Sequence, residues 1–485
     1  MLCGVGGPLG GLSPLWGVVT EWGVIPYLYL VYIQPDEELK KLGDLMDSVE
    51  FSRYWTEESS VFSMIPSIQL FQKMFLKIYE NLREDLSLLD ELKSRNFDAM
   101  IYEVIAFNAI AIQEYLGIRT LYPVFSITHT ASLSSSIGEP APPSTLSSAL
   151  SPFGDQMTFK ERVMNTVCTI IYKVVMKPPE MSSYNYPYEK INLKKAESRA
   201  PFVFLNSNPY LDFPRSTITK SVLIGGISVN VTEMKQEKLP LEYETILGKQ
   251  ERTVLISFGS IMLSKDMPER YKKTIVAVIE SFPNVNFIWK YESNDVDFGK
   301  NLKNLFFFKW VPQTALLADS RVSAFITHAG LGSINELSYM GKPAVLVPIF
   351  ADQMRNAKML ARHNGSICID KTAFGDFDLL REAINKIFND ESYKRNAENL
   401  AKQLRIQPIT PRELLLKHAT FGAEFGELPS LDPYSRQMSF FTSYMIDIFL
   451  LFFSFLSLSV YIVFTFLRFT FKFIFRKRHT KRKFD

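Results

Sequence analysis

Cysteine is scarce in this 485-residue chain: Cys3, Cys168 and Cys368 are the whole complement. They stand at no metal-ligand spacing and allow at most one disulfide, so neither a cysteine-held metal nor a disulfide framework organises the fold. Histidine is nearly as rare, with five in all, and nothing before His129 offers an imidazole to chemistry. Basic residues are missing from the start. The first is Lys40, so positions 1–39 hold no charged leader of the kind a signal peptide needs. A fixed-period repeat is also lacking. The net charge of +3 is small and local: residues 468–485 carry eight Lys/Arg and one acid, a local +7, which leaves −4 on residues 1–467. That balance excludes a basic nucleic-acid footprint on the body, so nucleic acid is not an expected partner.

What is present points to a globular, membrane-tethered protein. Hydrophobic residues make up 47% and charged residues 22%, which argues against disorder, and the length favours more than one domain. Ile448–Leu467, "IFLLFFSFLSLSVYIVFTFL", runs twenty residues without a charge and is long enough to span a bilayer as a helix. Arg468, Lys472 and the six basic residues after them follow at once. The positive-inside rule places that tail in the cytoplasm and the body on the lumenal side.

From Thr253 onward, short apolar runs alternate with helical patterns. "TVLISF" (253–258), "VNFIWKY" (285–291), "LFFFKW" (305–310), "VSAFITH" (322–328), "PAVLVPIF" (343–350) and "SICID" (366–370) read as strands. Helical spacing falls between and after them, at 332–340, 352–363, 377–388 and 393–404. Such alternation means βαβ units around a parallel sheet, an α/β fold. The first half repeats the theme faintly: "VIPYLYLVYI" (24–33), "FDAMIYE" (97–103) and "RTLYPVFS" (119–126) read as strands and 107–116 as a helix. "GGPLGG" (6–11) follows no strand and is uninformative. The Ser/Pro-rich stretch 131–152 is too long for an ordinary connection, and is either disordered or a lid. The two halves meet near Asn206–Lys220.

Ligands of an open parallel sheet bind beyond the carboxyl ends of its strands. Two such ends carry glycine: 257–260, with Gly259 and Ser260, and "THAGLGSINE" (327–336), with Gly330 and Gly332. Glycine lets backbone approach a phosphate, and the next helix N-terminus presents free N–H groups with a positive dipole end. Ser333 adds a hydroxyl and His328 a further hydrogen-bond donor, while Glu336 can take a ribose diol on two acceptor oxygens. Trp310 offers a flat face to a base. A dinucleotide-binding dehydrogenase is disfavoured, because the third glycine and the acid about 20 residues on are missing.

The ordered set "WVPQ" (310–313), "THAGLGSINE" (327–336) and "GKPAVLVPIFADQ" (341–353) resembles the signature of the UDP-glycosyltransferase family, and the likeness extends more loosely from about Asp98 into the tail. The resemblance implies a GT-B fold, two Rossmann-like domains facing a cleft, followed here by the single C-terminal transmembrane helix. It implies an acceptor domain over 1–215 lacking its first strand–helix unit, a UDP-sugar domain over 216–405, return helices and a juxtamembrane segment over 406–447, a span over 448–467 and a basic tail over 468–485. By the same resemblance Trp310 and Gln313 bind uracil, His328 and Gly330 the pyrophosphate side, and Ser333 a phosphate. Glu336 binds ribose, Asp352 and Gln353 the sugar hydroxyls, and Gly259 and Ser260 form the first phosphate-side loop. Many members carry Asn where this chain has Gly332, which loosens one polar contact.

The reaction implied is transfer of a hexosyl or glucuronosyl group from a UDP-sugar, as co-substrate, to small lipophilic acceptors, by inversion and without metal or other cofactor. Transfer to an alcohol needs a base, and an imidazole backed by a carboxylate suits the task. Glu103 falls at the family's acid position, where many members have Asp, but the partner histidine near the N-terminus is absent. His129 ends a strand, far beyond the first. An alternative start, a mispredicted gene model and a protein that has lost activity all fit, and the last would bind UDP-sugar or associate with active paralogues, as homo- or hetero-oligomer. Asn230-Val-Thr is a glycosylation acceptor; Asn364-Gly-Ser matches too but lies between helix and strand and is set aside. Lys481-Arg-Lys483 fits a dilysine retrieval signal, consistent with the family's residence in the endoplasmic reticulum membrane.

Overall fold

The computed structural model describes residues 2–4, 30–32, 36–45, 52–60, 62–106, 109–128, 131–175 and 193–481. Residues 1–432 form one compact unit and residues 433–485 a second. In the first unit, Leu2–Gly4 (β1) pairs in parallel with Leu30–Tyr32 (β2), so the glycine run at 6–11 does follow a strand, contrary to the sequence reading. That strand has only three residues, too few to show a period.

A four-stranded parallel sheet follows, built from Ala99–Glu103 (β3), Thr120–Phe125 (β4), Val203–Leu205 (β5) and Ser221–Leu223 (β6) in that spatial order. β6 belongs to this sheet, so a domain boundary at residue 215 cuts through it. The stretch 131–152 is not a structureless loop. Ala131–Ile137 is helical, and the remainder gathers on buried Asn165, whose Oδ1 accepts from Ser148 N and Ser151 Oγ and whose Nδ2 donates to Pro143 O and Leu146 O. One amide side chain supplies the hydrogen bonds that repetitive structure would otherwise provide.

The larger sheet holds six parallel strands: Arg252–Ser257 (β7), Val285–Lys290 (β8), Leu305–Phe308 (β9), Val322–Thr327 (β10), Ala344–Leu346 (β11) and Ser366–Cys368 (β12). Their spatial order is β12-β11-β10-β7-β8-β9. Successive side chains feed opposite cores: Val254, Ile256, Phe287 and Trp289 lie in one, Leu255 and Ile288 in the other. Both faces are covered, which is why these strands read as unbroken apolar runs. Strand order reverses between β7 and β10, and a doubly wound sheet opens its crevice at such a reversal.

Contacts between segments distant in sequence tie the sheets together. Pro411–Phe425, begun by a Thr410/Glu413 capping box with proline in its first turn, packs back on the smaller sheet, where Tyr122 OH donates to Ala419 O. The linker after β5 is clamped to the helix Gln353–Ala361 by a buried Arg355–Asp212 ion pair at 2.6 Å, with Arg355 and Arg362 stacked over Phe213. In the second unit, Ile446–Lys481 is one helix, continuing past the apolar stretch into the basic tail. Its apolar part, Ile446–Lys472, is about 40 Å long, more than the ~30 Å hydrocarbon core of a bilayer.

Candidate active site

The turn after β7 and the turn after β10 meet at the reversal point, and His328 lies between them. A Cβ on Gly259 would stand 2.7 Å from His328 Cε1, and one on Gly330 would stand 2.6 Å from Nε2. The imidazole therefore fills a slot that only two glycines leave open. Gly259 also has φ +82°, a conformation glycine adopts readily. Ala329 at φ +64° and Ala351 at φ +56° are left-handed without being glycine, one in each of the loops after β10 and β11. Local strain of this kind concentrates at ligand-binding loops.

The His328 imidazole is neutral. Burial, reinforced by the nearby Lys290 ammonium, lowers its pKa to about 3. Its Nδ1 lies 3.4 Å from Thr327 Oγ1, which leaves Nε2 toward the two glycines. Ser333, Gln313 and Glu336 form one cluster: Gln313 Nε2 donates to Ser333 Oγ at 3.0 Å and to Glu336 Oε2 at 2.7 Å. Burial raises the Glu336 pKa against that hydrogen bond. The helix carrying Ser333 and Glu336, Leu331–Met340, starts at Gly330 with no side-chain cap, so its first amides point into the turn unclaimed by a cap.

Trp310 lies two residues beyond β9 rather than at its end, and its side chain is 64% exposed. It is a surface platform, not a core aromatic. Tyr243, stacked on Phe308, donates its hydroxyl to Trp310 O and fixes that backbone. Lys290, at the end of β8, escaped the sequence reading. Its Nζ donates to Gly259 O at 2.9 Å and to Glu292 Oε1 at 2.8 Å, and it stands 5.5 Å from the Trp310 ring centroid. A lone cation ending the apolar run "VNFIW" was the available signal.

Asp352 and Gln353 open the helix after β11. Asp352 accepts from Asn356 Nδ2, and burial raises its pKa. Gln353 Oε1 accepts from Ile349 N and Phe350 N, so its carbonyl holds the loop and its amide nitrogen is the end left for a ligand. Ser260 is exposed at the turn after β7, and an added Cβ on Gly332 meets nothing within 4 Å.

On the smaller sheet, Glu103 ends β3. Its Oε2 accepts from Ser126 N at 3.1 Å, while Oε1 is buried with no hydrogen-bond partner among the described residues. Burial raises the pKa of this carboxyl to about 8. Asn206 carries the connection onward, donating to Ser126 O and accepting from Asn335 Nδ2, on the helix that bears Ser333 and Glu336. A short run of polar contacts thus links Glu103 to the helix that leaves the reversal point. His129 lies outside the described residues. Asn230 caps the helix Val231–Gln236 through Oδ1, leaving Nδ2 unused by the cap. Among the described residues no cluster of three or more His, Cys, Asp or Glu is placed to hold a metal.

Known proteins resemble this chain in sequence and in fold. The profile described as UDP-glucoronosyl and UDP-glucosyl transferase matches residues 32–482. UDP-glucuronosyltransferase 1A6 of Homo sapiens is 26% identical over 76% of this chain and 68% of its own, and UDP-glucuronosyltransferase 1A8 of Rattus norvegicus 26% over 84% and 77%. Among solved structures, a UDP-glucosyltransferase from Polygonum tinctorium superposes with a TM-score of 0.53 at 18% identity, covering 74% of this chain and 82% of that one. Os79 from O. sativa in complex with UDP gives 0.51 at 16% identity, covering 76% and 86%. At such identities these structures speak for the GT-B fold alone. The match over nearly the whole chain says more: this protein belongs to the UDP-glucuronosyl and UDP-glucosyl transferase family.

Proposed function

We propose that the chain transfers a hexosyl or glucuronosyl group from a UDP-sugar to a small lipophilic acceptor by inverting displacement, with no metal or further cofactor. The single observation that carries this reading is the slot between Gly259 and Gly330 that seats a neutral His328 over an uncapped helix start. In this reading His328 Nε2, Ser333 Oγ and the first amides of Leu331–Met340 donate to the diphosphate. Gln313 and Trp310 take the uracil, Glu336 the ribose diol, and Asp352 and Gln353 the sugar hydroxyls; Gly259 and Ser260 line the phosphate side. The acceptor oxygen attacks the anomeric carbon, the bond to the β-phosphate oxygen breaks, and UDP leaves with the electron pair. The hydroxyl proton needs a base, and Glu103 stands where the family's supporting acid stands, with no imidazole on its Oε1 among the described residues. Titration calorimetry with UDP, UDP-glucose and UDP-glucuronic acid tests the donor half. Absence of UDP binding sinks it.

A second reading, donor binding without turnover and association with active paralogues, is favoured by the buried Oε1 of Glu103, which has no hydrogen-bond partner among the described residues. Measuring binding and transfer separately decides between the two, and normal turnover refutes the second. We also assign the chain to the endoplasmic reticulum membrane, single-pass through the 446–472 stretch, with a lumenal body glycosylated at Asn230 and a cytoplasmic tail. Endoglycosidase sensitivity of wild type but not Asn230→Gln tests that orientation.

A further inference from the structure

A segment far from the larger sheet in sequence is buried in its core. Ser52–Trp55 forms a single tight turn whose Tyr54 and Trp55 are fully inaccessible and belong to the apolar cluster of β7 and β8. Tyr54 stacks on Phe350 with centroids 5.0 Å apart, and Trp55 meets Phe258 edge-on at 5.1 Å. Phe350 lies two residues before Asp352 and Phe258 lies immediately before Gly259, so the segment touches the roots of both the sugar-side and phosphate-side loops.

Polar contacts converge on the same place. Ser59 Oγ donates to Ile349 O at 2.6 Å. Buried Lys371 donates to Tyr54 O at 2.7 Å, to Glu57 O, and to Ile349 O at 3.4 Å. Together with Gln353 Oε1 on the amides of Ile349 and Phe350, these bonds hold the peptide that precedes left-handed Ala351 from three directions. The far end of the segment runs into the helix Ile65–Glu84, whose Tyr79 and Leu82 are core residues of the smaller sheet.

We propose that residues 52–60 are a strap that positions the Ile349–Gln353 loop for the sugar of the donor, with Ser59 and the Lys371 that it meets as positioning residues. This deepens the donor-site reading and rests on it. The strap grips the loop that carries Asp352 and Gln353, while the Gln313, Ser333 and Glu336 cluster lies outside its contacts. Removing the Ser59 and Lys371 bonds to Ile349 O while leaving Trp55 on Phe258 therefore weakens recognition of the sugar and leaves recognition of UDP intact.

The test compares the full-length wild type in detergent with Ser59→Ala and Lys371→Met, titrating each with UDP, UDP-glucose and UDP-glucuronic acid. Ser59 is only half-buried, so Ser59→Ala keeps the experiment informative if Lys371→Met does not fold. The expected result is UDP affinity within about twofold of wild type and a loss of about fivefold to tenfold for whichever UDP-sugar the wild type prefers, the scale of one buried hydrogen bond. Equal loss for UDP and UDP-sugar, or no loss for either, overturns the strap. Failure of the wild type to bind UDP overturns instead the donor reading on which it stands.

Discussion

A Cβ placed on Gly259 or Gly330 would collide with the His328 ring, whereas one on Gly332 meets open space. Gly259→Ala and Gly330→Ala are therefore expected to push the imidazole aside and reduce UDP affinity by roughly tenfold or more, about 1.4 kcal/mol. Gly332→Ala is expected to be silent in the same titration. Two buried titratable side chains add a pH signature. His328 has its pKa lowered from 6.5 to about 3, so the unfolded chain takes up the proton first and stability falls as pH drops from 6.5 toward 3. Glu103 is raised from 4.5 to about 8, so the folded chain keeps the proton longer and stability falls as pH rises from 4.5 to 8. Their contributions oppose each other between 4.5 and 6.5, which predicts a plateau in thermal midpoint there. Glu103→Gln removes the alkaline decline and His328→Asn the acid one. The candidate residues in "THAGLGSINE" could be picked out because glycine and imidazole at a strand-to-helix turn suit an anion and the carboxylate one turn on suits a diol. Lys290 showed only as a lone cation ending an apolar run, and its role became readable only once β8 lay beside β7.

At the level of elements, the helix Gln353–Ala361 begins with the proposed sugar-binding pair and is anchored one turn later. Arg355 pairs with Asp212, and Ser207 Oγ and Phe213 N also donate to that carboxylate. Breaking one partner of a buried pair strands the other charge. Arg355→Ala is expected to cost about 3–5 kcal/mol of stability, read as a lowered thermal or urea midpoint. A milder probe is Thr410→Ala, which removes a helix cap for about 1 kcal/mol. The strands of the larger sheet were legible because a strand covered on both faces is mostly apolar. β5 and β6 were not, since they flank the stretch 206–220, where Pro209 and Pro214 break the alternation. The helix 131–137 escaped for another reason: serine-rich composition suggests a loop, and tertiary burial of Leu133 and Ile137 outweighs that weak preference.

For the whole molecule, removal of residues 433–485 is expected to move the protein from the membrane pellet to the soluble fraction without loss of UDP binding. The compact unit ends at Asp432, and the apolar helix belongs to the second unit. Retention in the pellet would show that other surfaces also hold lipid. Composition and hydropathy by themselves determined a great deal: an α/β body, a parallel sheet after residue 252, a spanning-length apolar stretch and the turn that bears His328. All of these are local, since periodicity, run length and turn chemistry are written into neighbouring residues. Only the tertiary structure decided that Ser221–Leu223 completes the first sheet, that Tyr54 and Trp55 enter the core of the second, and that Glu103 reaches Asn335 through Ser126 and Asn206. Those contacts join residues tens to hundreds of positions apart. Their energy comes from packing and desolvation between elements, which no short window of sequence contains.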